Sequence, residues 1–310
     1  MIAPSDLCAR DVMTASPETL TAVTPVGRAL ARLVERRVST VPVVAPEGHL
    51  AGLFSGRALL ALLARLLEPR GRAEAVQGLE RLRDEPVASH LSLPPTCRPE
   101  ATLEGACQEM VRARAHQLVV TDADRPVGML SAIDAVRTLA CLEALAPRPR
   151  AGRADLSPQD LRAGDVMTPL PDVIDADRPL GEACALILRE GLSALPVVDR
   201  GGRALGVISA RDLLLRLEPL LHPGASLEEP ALVALGARRV RECLLRPAAT
   251  CAPGETLGDA CQRMVRERVH RLVIVESTRR VAGVLSAVDV VRALACMAAL
   301  GRPGGQQRVG

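Results

Sequence analysis

Aromatic residues are almost missing from this chain of 310 residues: it has no Trp, no Tyr, and Phe54 alone. Stacked bases need aromatic faces, so a platform for single-stranded nucleic acid is not expected. Lys is absent as well, so all 39 basic side chains are Arg, and 36 acidic residues bring the net charge to +3. A balance so near neutral does not by itself imply a nucleic-acid or membrane partner. Nine cysteines are present, but there is no C-x-x-C and no Cys/His cluster at zinc spacing. Cys107 and Cys261 lie on apolar helical faces, where a thiol acts as a small hydrophobe. Unpaired cysteines in this number point to a reducing, cytoplasmic location. Met1–Asp6 carries no basic region followed by an apolar run, so no signal peptide is expected. The longest apolar stretch, Ala58–Leu67, is broken by Arg65 and is too short to span a bilayer.

What the chain does have is one short turn written four times. Gly283–Asp289 reads Gly-Val-Leu-Ser-Ala-Val-Asp, Gly206–Asp212 reads Gly-Val-Ile-Ser-Ala-Arg-Asp, and Gly128–Asp134 reads Gly-Met-Leu-Ser-Ala-Ile-Asp. Gly52–Ala58 keeps everything except the final carboxylate, which Ala58 replaces. Each copy predicts a buried strand, a Ser at a helix N-cap and an Asp three residues on. A helix start exposes unpaired N–H groups and partial positive charge, which suits phosphate. The Asp oxygens can accept from a pair of sugar hydroxyls. Ser-x-x-Asp is also a capping box that only secures the helix, and the two roles are compatible.

The turn belongs to a larger period. Met13 and Met167, Pro42 and Pro196, Ser55 and Ser209, and His116 and His270 all share one offset, 154 residues (167 − 13), while Ser131 and Ser286 exceed it by a single position. The chain is a tandem duplication, and each half is two smaller repeats. In the third copy, Val173–Asp175 predicts a short strand. Leu180, Cys184, Ile187 and Leu188 have helical spacing, and Gly191 fits the helix end. Leu195–Val198 and Ala204–Ser209 predict strands, and Ala210–Leu217 a closing helix. The result is an α/β unit of order β-α-β-β-α. Glu68–Asp84 and Glu218–Arg238 read as connectors, 146–159 as a linker and Gly301–Gly310 as a tail.

The order Asp165-Val166-Met167-Thr168, Leu195-Pro196-Val197-Val198-Asp199 and Gly206–Asp212, repeated four times, resembles the cystathionine-beta-synthase (CBS) domain. Four such domains are expected, at about 6–68, 86–146, 160–218 and 238–300. They would pair into two pseudo-twofold Bateman modules, 1–148 and 149–310. The resemblance implies binding of an adenosyl ligand, namely AMP, ADP, ATP or S-adenosylmethionine, with magnesium where the ligand is ATP. Val269-His270-Arg271-Leu272-Val273 and Leu192-Ser193-Ala194-Leu195-Pro196 are similar to stretches of the gamma subunits of AMP-activated protein kinases. That likeness implies ribose contacts from Asp134, Asp212 and Asp289, and ribose or phosphate contacts from Ser131, Ser209 and Ser286. It assigns His270 and Arg271 to phosphate, with His116 as the weaker equivalent because Gln117 stands beside it. Ser193 and Ala194 would line the pocket, and Thr168 would border base or phosphate. Arg211 is a further candidate, set against a solvated helix residue. The histidines also fit plain hydrogen-bonded positions at strand starts.

A regulatory nucleotide sensor without catalysis is the leading expectation, since repeats and linkers use up the chain and no nucleophile–base pair is visible. It would act with a regulated protein, as a homodimer. The alternatives are a structural or nucleic-acid-associated scaffold, which the Arg-rich stretches permit, and a regulatory part of an enzyme such as a kinase or an inosine-monophosphate dehydrogenase. No membrane partner is expected.

Overall fold

A computed structural model of the chain describes residues 6–56, 72–145, 161–222 and 229–300. Ala58, the expected linker at 146–159 and the tail from Gly301 lie outside the described residues. The first repeat contains α1 (Ala9–Val12), β1 (Thr14–Ala15), β2 (Leu20–Thr21), α2 (Val26–Glu35), β3 (Thr40–Val44) and β4 (Leu50–Ser55). The connector helix α3 (Arg72–Asp84) leads to the second repeat, with β5 (Thr96–Cys97), α4 (Leu103–Arg112), β6 (Gln117–Asp122), β7 (Arg125–Ser131) and α5 (Ala132–Leu145). The third has α6 (Ala163–Val166), β8 (Thr168–Pro169), β9 (Ile174–Asp175), α7 (Leu180–Arg189), β10 (Ala194–Val198), β11 (Ala204–Ser209) and α8 (Ala210–Leu221). A second connector helix, α9 (Glu229–Ala237), precedes the fourth, with β12 (Thr250–Cys251), α10 (Leu257–Arg266), β13 (Arg271–Val275), β14 (Val281–Ser286) and α11 (Ala287–Leu300).

Local chemistry explains these boundaries. Thr102 and Thr256 cap α4 and α10 by accepting from the amides of Gly105 and Asp259. The amphipathic helices of all four repeats stop at a residue with positive φ: Arg37, Arg114, Gly191 and Arg268. Gly191 occupies the helix end expected of it. In each repeat two central strands form an antiparallel pair, and a short strand joins them in parallel.

The repeats of each half are interlaced. β1 of the first repeat pairs with β7 of the second, and β8 of the third pairs with β14 of the fourth. In return Ser92, from the second repeat's lead-in, bridges Leu53 on β4, and the Ala248 amide donates to the Leu205 carbonyl on β11. This crossing explains the Gly that opens each turn. A Cβ on Gly128 would sit 2.1 Å from the Met13 sulfur, and one on Gly283 2.3 Å from the Met167 sulfur. Gly52 and Gly206 leave the matching room for Leu91 and Leu244.

Helical faces then join the halves. One core merges the first and third repeats, including Leu30, Phe54, Ile187, Leu195 and Leu213. The other merges the second and fourth, including Met110, Leu118, Met264, Leu285 and Val290. Cys107, Cys184, Cys243, Cys251 and Cys261 are buried, and all nine cysteines are free. Burial, with Glu104 adding, pushes the Cys107 thiol up to about 12, so it packs as an inert side chain. No described helix is long and apolar enough to cross a membrane.

Candidate functional site

The closing helices α5, α8 and α11 each begin with the expected Ser–Asp turn, and the turn is a working cap. The Ser131, Ser209 and Ser286 amides each donate to Oδ2 of Asp134, Asp212 and Asp289, at 2.8 Å. The three Ser hydroxyls donate to the same oxygens at 2.6, 2.5 and 2.6 Å. The amides of Asp212 and Asp289 return to their Ser Oγ at 3.3 Å. The first amide of every closing helix is also taken: those of Gly56, Ala132, Ala210 and Ala287 donate to the carbonyls of Ser39, His116, Ser193 and His270. Most helix-start amides are therefore engaged within the fold, and an anion here would be met chiefly by guanidinium groups. Sequence reasoning, which assigned the anion to the helix starts, missed this because each partner carbonyl comes from the residue that precedes another strand, well back along the chain.

The other carboxylate oxygen distinguishes the repeats. Arg137 Nη1 lies 3.0 Å from Asp134 Oδ1, and Arg292 Nη1 lies 3.3 Å from Asp289 Oδ1. Thr168 Oγ1 is 3.5 Å from that same Asp289 oxygen. At the matching position of the third repeat stands Leu215. Asp212 has no ion-pair partner among the described residues, so its Oδ1 is open to a ligand hydroxyl. Arg137 and Arg292 went unnoticed in the sequence, although they keep the same register as Ser131 and Ser286.

The residue opposite each Ser sets what faces the turn. Thr40 pairs with Ser55, Gln117 with Ser131, Ala194 with Ser209, and Arg271 with Ser286. In the first half, buried Gln117 accepts from the Thr40 hydroxyl at 2.9 Å. In the second half, the Arg271 Nη2 donates to Ser193 Oγ at 3.2 Å, across the two repeats. Burial lowers the Arg271 pKa, while Asp212 and Asp289 nearby act to keep it charged. One guanidinium is thus under the influence of two of the predicted carboxylates.

His270 remains accessible to solvent at one edge. Desolvation by its neighbours, with Arg271, Arg211 and Arg137 adding their charge, still pushes its pKa down to about 4. Asp134 opposes this, which places the second-repeat carboxylate near the fourth-repeat imidazole. Arg211 is partly buried; that burial lowers its pKa, Asp212 opposes, and Arg37 and Arg246 reinforce it. Arg246 itself is fixed by the Glu267 and Arg268 carbonyls. His116 is exposed, and its carbonyl accepts from Ala132. Structure therefore assembles Thr168, Ser193, Ala194, Ser209, Arg211, Asp212, His270, Arg271, Ser286 and Asp289 around the junction of the third and fourth repeats. Ser131 and Asp134 face it from the second.

A cavity of about 390 Å³ lies at the other end of the β13–β14 pair from Arg271 and Ser286, lined in part by Leu170, Val173, Val198, Gly202 and Arg280. Thr168, which touches Asp289, starts the segment that runs into this wall. Among the described residues, no group of His, Cys, Asp or Glu could hold a metal ion.

The sequence profile of the CBS domain matches residues 9–65, 88–141, 163–219 and 240–296. The chain is 31% identical over 200 residues to the AMP-activated protein kinase subunit gamma-3 of Sus scrofa, and 30% identical to that of Homo sapiens. Those alignments cover 63% of this chain but only 37% and 39% of the relatives' own lengths. The gamma subunit of Kluyveromyces lactis is 22% identical over 86% of this chain and 81% of its own. In three dimensions the chain is similar to a protein of Methanocaldococcus jannaschii described as a candidate archaeal homologue of that subunit. The TM-score is 0.75 at 18% identity, covering 93% of this chain and 99% of the other. A conserved protein of Pyrococcus horikoshii superposes with a TM-score of 0.59 at 19% identity. The chain belongs to the CBS domain family and carries four CBS domains in tandem, two to each half.

Proposed function

We propose that this chain is a regulatory module without catalysis of its own, which senses an adenosyl nucleotide in the cleft between its third and fourth repeats. The ligand is AMP, ADP, ATP or S-adenosylmethionine. The observation that carries the reading is Arg271, which bonds Ser193 across the two repeats within electrostatic reach of Asp212 and Asp289. Asp212 Oδ1 accepts a ribose hydroxyl, Arg271 and Arg211 meet the phosphate, and His270 presents a neutral imidazole to it. Ser209 and Ser286 hold their carboxylates in place, and Thr168 steers Asp289. Magnesium accompanying ATP would ride on the nucleotide's own phosphates, since no described cluster could ligate it.

The first half fits a supporting role. Gln117 and Thr40 satisfy each other where the second half offers Arg271 and Ser193. With the module boundary at 148/149, the two halves need not respond alike. The names of the relatives, subunits of a kinase, support action as a subunit beside a regulated protein, and nine cysteines outside disulfides support a reducing, cytoplasmic location. Binding would shift the population of packing arrangements between repeats that share the ligand.

Isothermal calorimetry with AMP, ATP and S-adenosylmethionine tests this directly. Saturable binding that Arg271→Ala weakens by about tenfold or more is expected, since a charge-assisted contact contributes about 1.5–3 kcal/mol. No heat with any of the three, or turnover of the nucleotide, would refute the reading.

A further inference from the structure

A second concave site lies away from the nucleotide cleft, between the C-terminal half of α8 and the connector helix α9. Its volume is about 300 Å³, at the small end of ligand sites. Pro219, Ala231, Ala234 and Leu235 form aliphatic walls, and Arg216 and Arg238 stand at its edges. The two arginines differ in what holds them. Arg216 Nη2 donates to the Cys243 carbonyl at 2.7 Å, while its Nε is buried with no hydrogen-bond partner. No carboxylate pairs with Arg216 among the described residues. Arg238 has one loose neighbour, Glu242, at 3.8 Å and four residues on. Arg216 is a permanent cation without a carboxylate counterpart among the described residues, and an incoming anion would supply one.

We infer that this groove binds a small organic monoanion with an aliphatic or aromatic body, its carboxylate between the Arg216 and Arg238 guanidinium groups at the groove's edges. The apolar body rests on Ala231, Ala234 and Leu235. A nucleotide does not suit the groove, because these walls carry no acceptor for sugar hydroxyls. The site shares α8 with Asp212, seven residues before Pro219, so its occupant would sit on the helix whose start holds a nucleotide carboxylate.

The test uses the full chain and ligand-observed NMR with hexanoate and benzoate, against hexanol and hexylamine as controls. Both carboxylates are expected to bind, with hexanol at least about tenfold weaker for want of the charge-assisted contact. Ala234→Trp fills the groove and is expected to abolish hexanoate binding with unchanged thermal melting. Should that variant melt early, Arg238→Gln decides: it alters one exposed side chain and is expected to weaken hexanoate by about threefold or more. Equal binding of hexanoate and hexanol, no binding of either carboxylate at millimolar concentration, or full affinity in both variants would overturn the assignment. Retained AMP binding in Ala234→Trp separates this outcome from a failure of the nucleotide reading.

Discussion

Leu215 stands where Arg137 and Arg292 stand in the second and fourth repeats, and that one difference leaves an oxygen of Asp212 free. Two variants exploit it. Asp212→Ala is expected to weaken AMP binding by about tenfold with the fold kept. Leu215→Arg should do the same from the opposite side, by supplying the missing partner. Unaltered calorimetric affinity in both would remove Asp212 from the site. His270 makes a pH prediction. Its imidazole is pushed to about 4, against 6.5 for an ordinary histidine, chiefly by desolvation from the surrounding side chains and then by the Arg271 charge. The unfolded chain therefore binds more protons between those values, and stability falls as pH drops through this window. His270→Gln is expected to flatten that part of the melting-temperature profile, and an unchanged slope would show that other groups cause it. A phosphate bound beside the ring should raise its pKa, which proton NMR titration with and without AMP would read.

At the level of elements, the strand-to-helix turn was readable from its residues because a cap acts between positions three apart. Ser209 and Asp212 bond each other as their spacing predicts. The Gly at its head was equally visible, but its reason was not. It makes room for a methionine or leucine contributed by the neighbouring repeat, and strand exchange is a long-range fact. Gly283→Val is expected to cost about 1–3 kcal/mol, because its Cβ would crowd both the Met167 sulfur and the fixed Thr168 carbonyl at 3.0 Å. A shift in the urea midpoint measures this. Met167→Ala should recover only part of the loss, since the carbonyl stays; complete rescue would place the whole clash on the sulfur.

Across the whole molecule, the helical faces of one half are buried on those of the other. Leu30 and Ile187 share a core although they belong to different halves. Unfolding is therefore expected as one cooperative transition, with Leu30→Ala lowering it by about 2–5 kcal/mol. Two separated calorimetric transitions would show that the halves are independent. The same burial bears on the expected homodimer. The helical faces that a second copy could cover are already buried on the other half of the same chain. Light scattering is expected to give one species of 32.8 kDa, and twice that mass would require a surface other than these faces.

The sequence by itself determined the period, the four α/β units, their helix caps and the side chains that recur in each. These follow from contacts a few residues apart and from apolar spacing, which are written along the chain. Tertiary structure alone decided that the first repeat packs on the third and the second on the fourth. It also decided that Arg271 comes under the influence of carboxylates from two repeats, and that carbonyls just before the central strands occupy the first helix amides. Those outcomes depend on which distant surfaces are buried together, and no local pattern encodes a partner a hundred residues away.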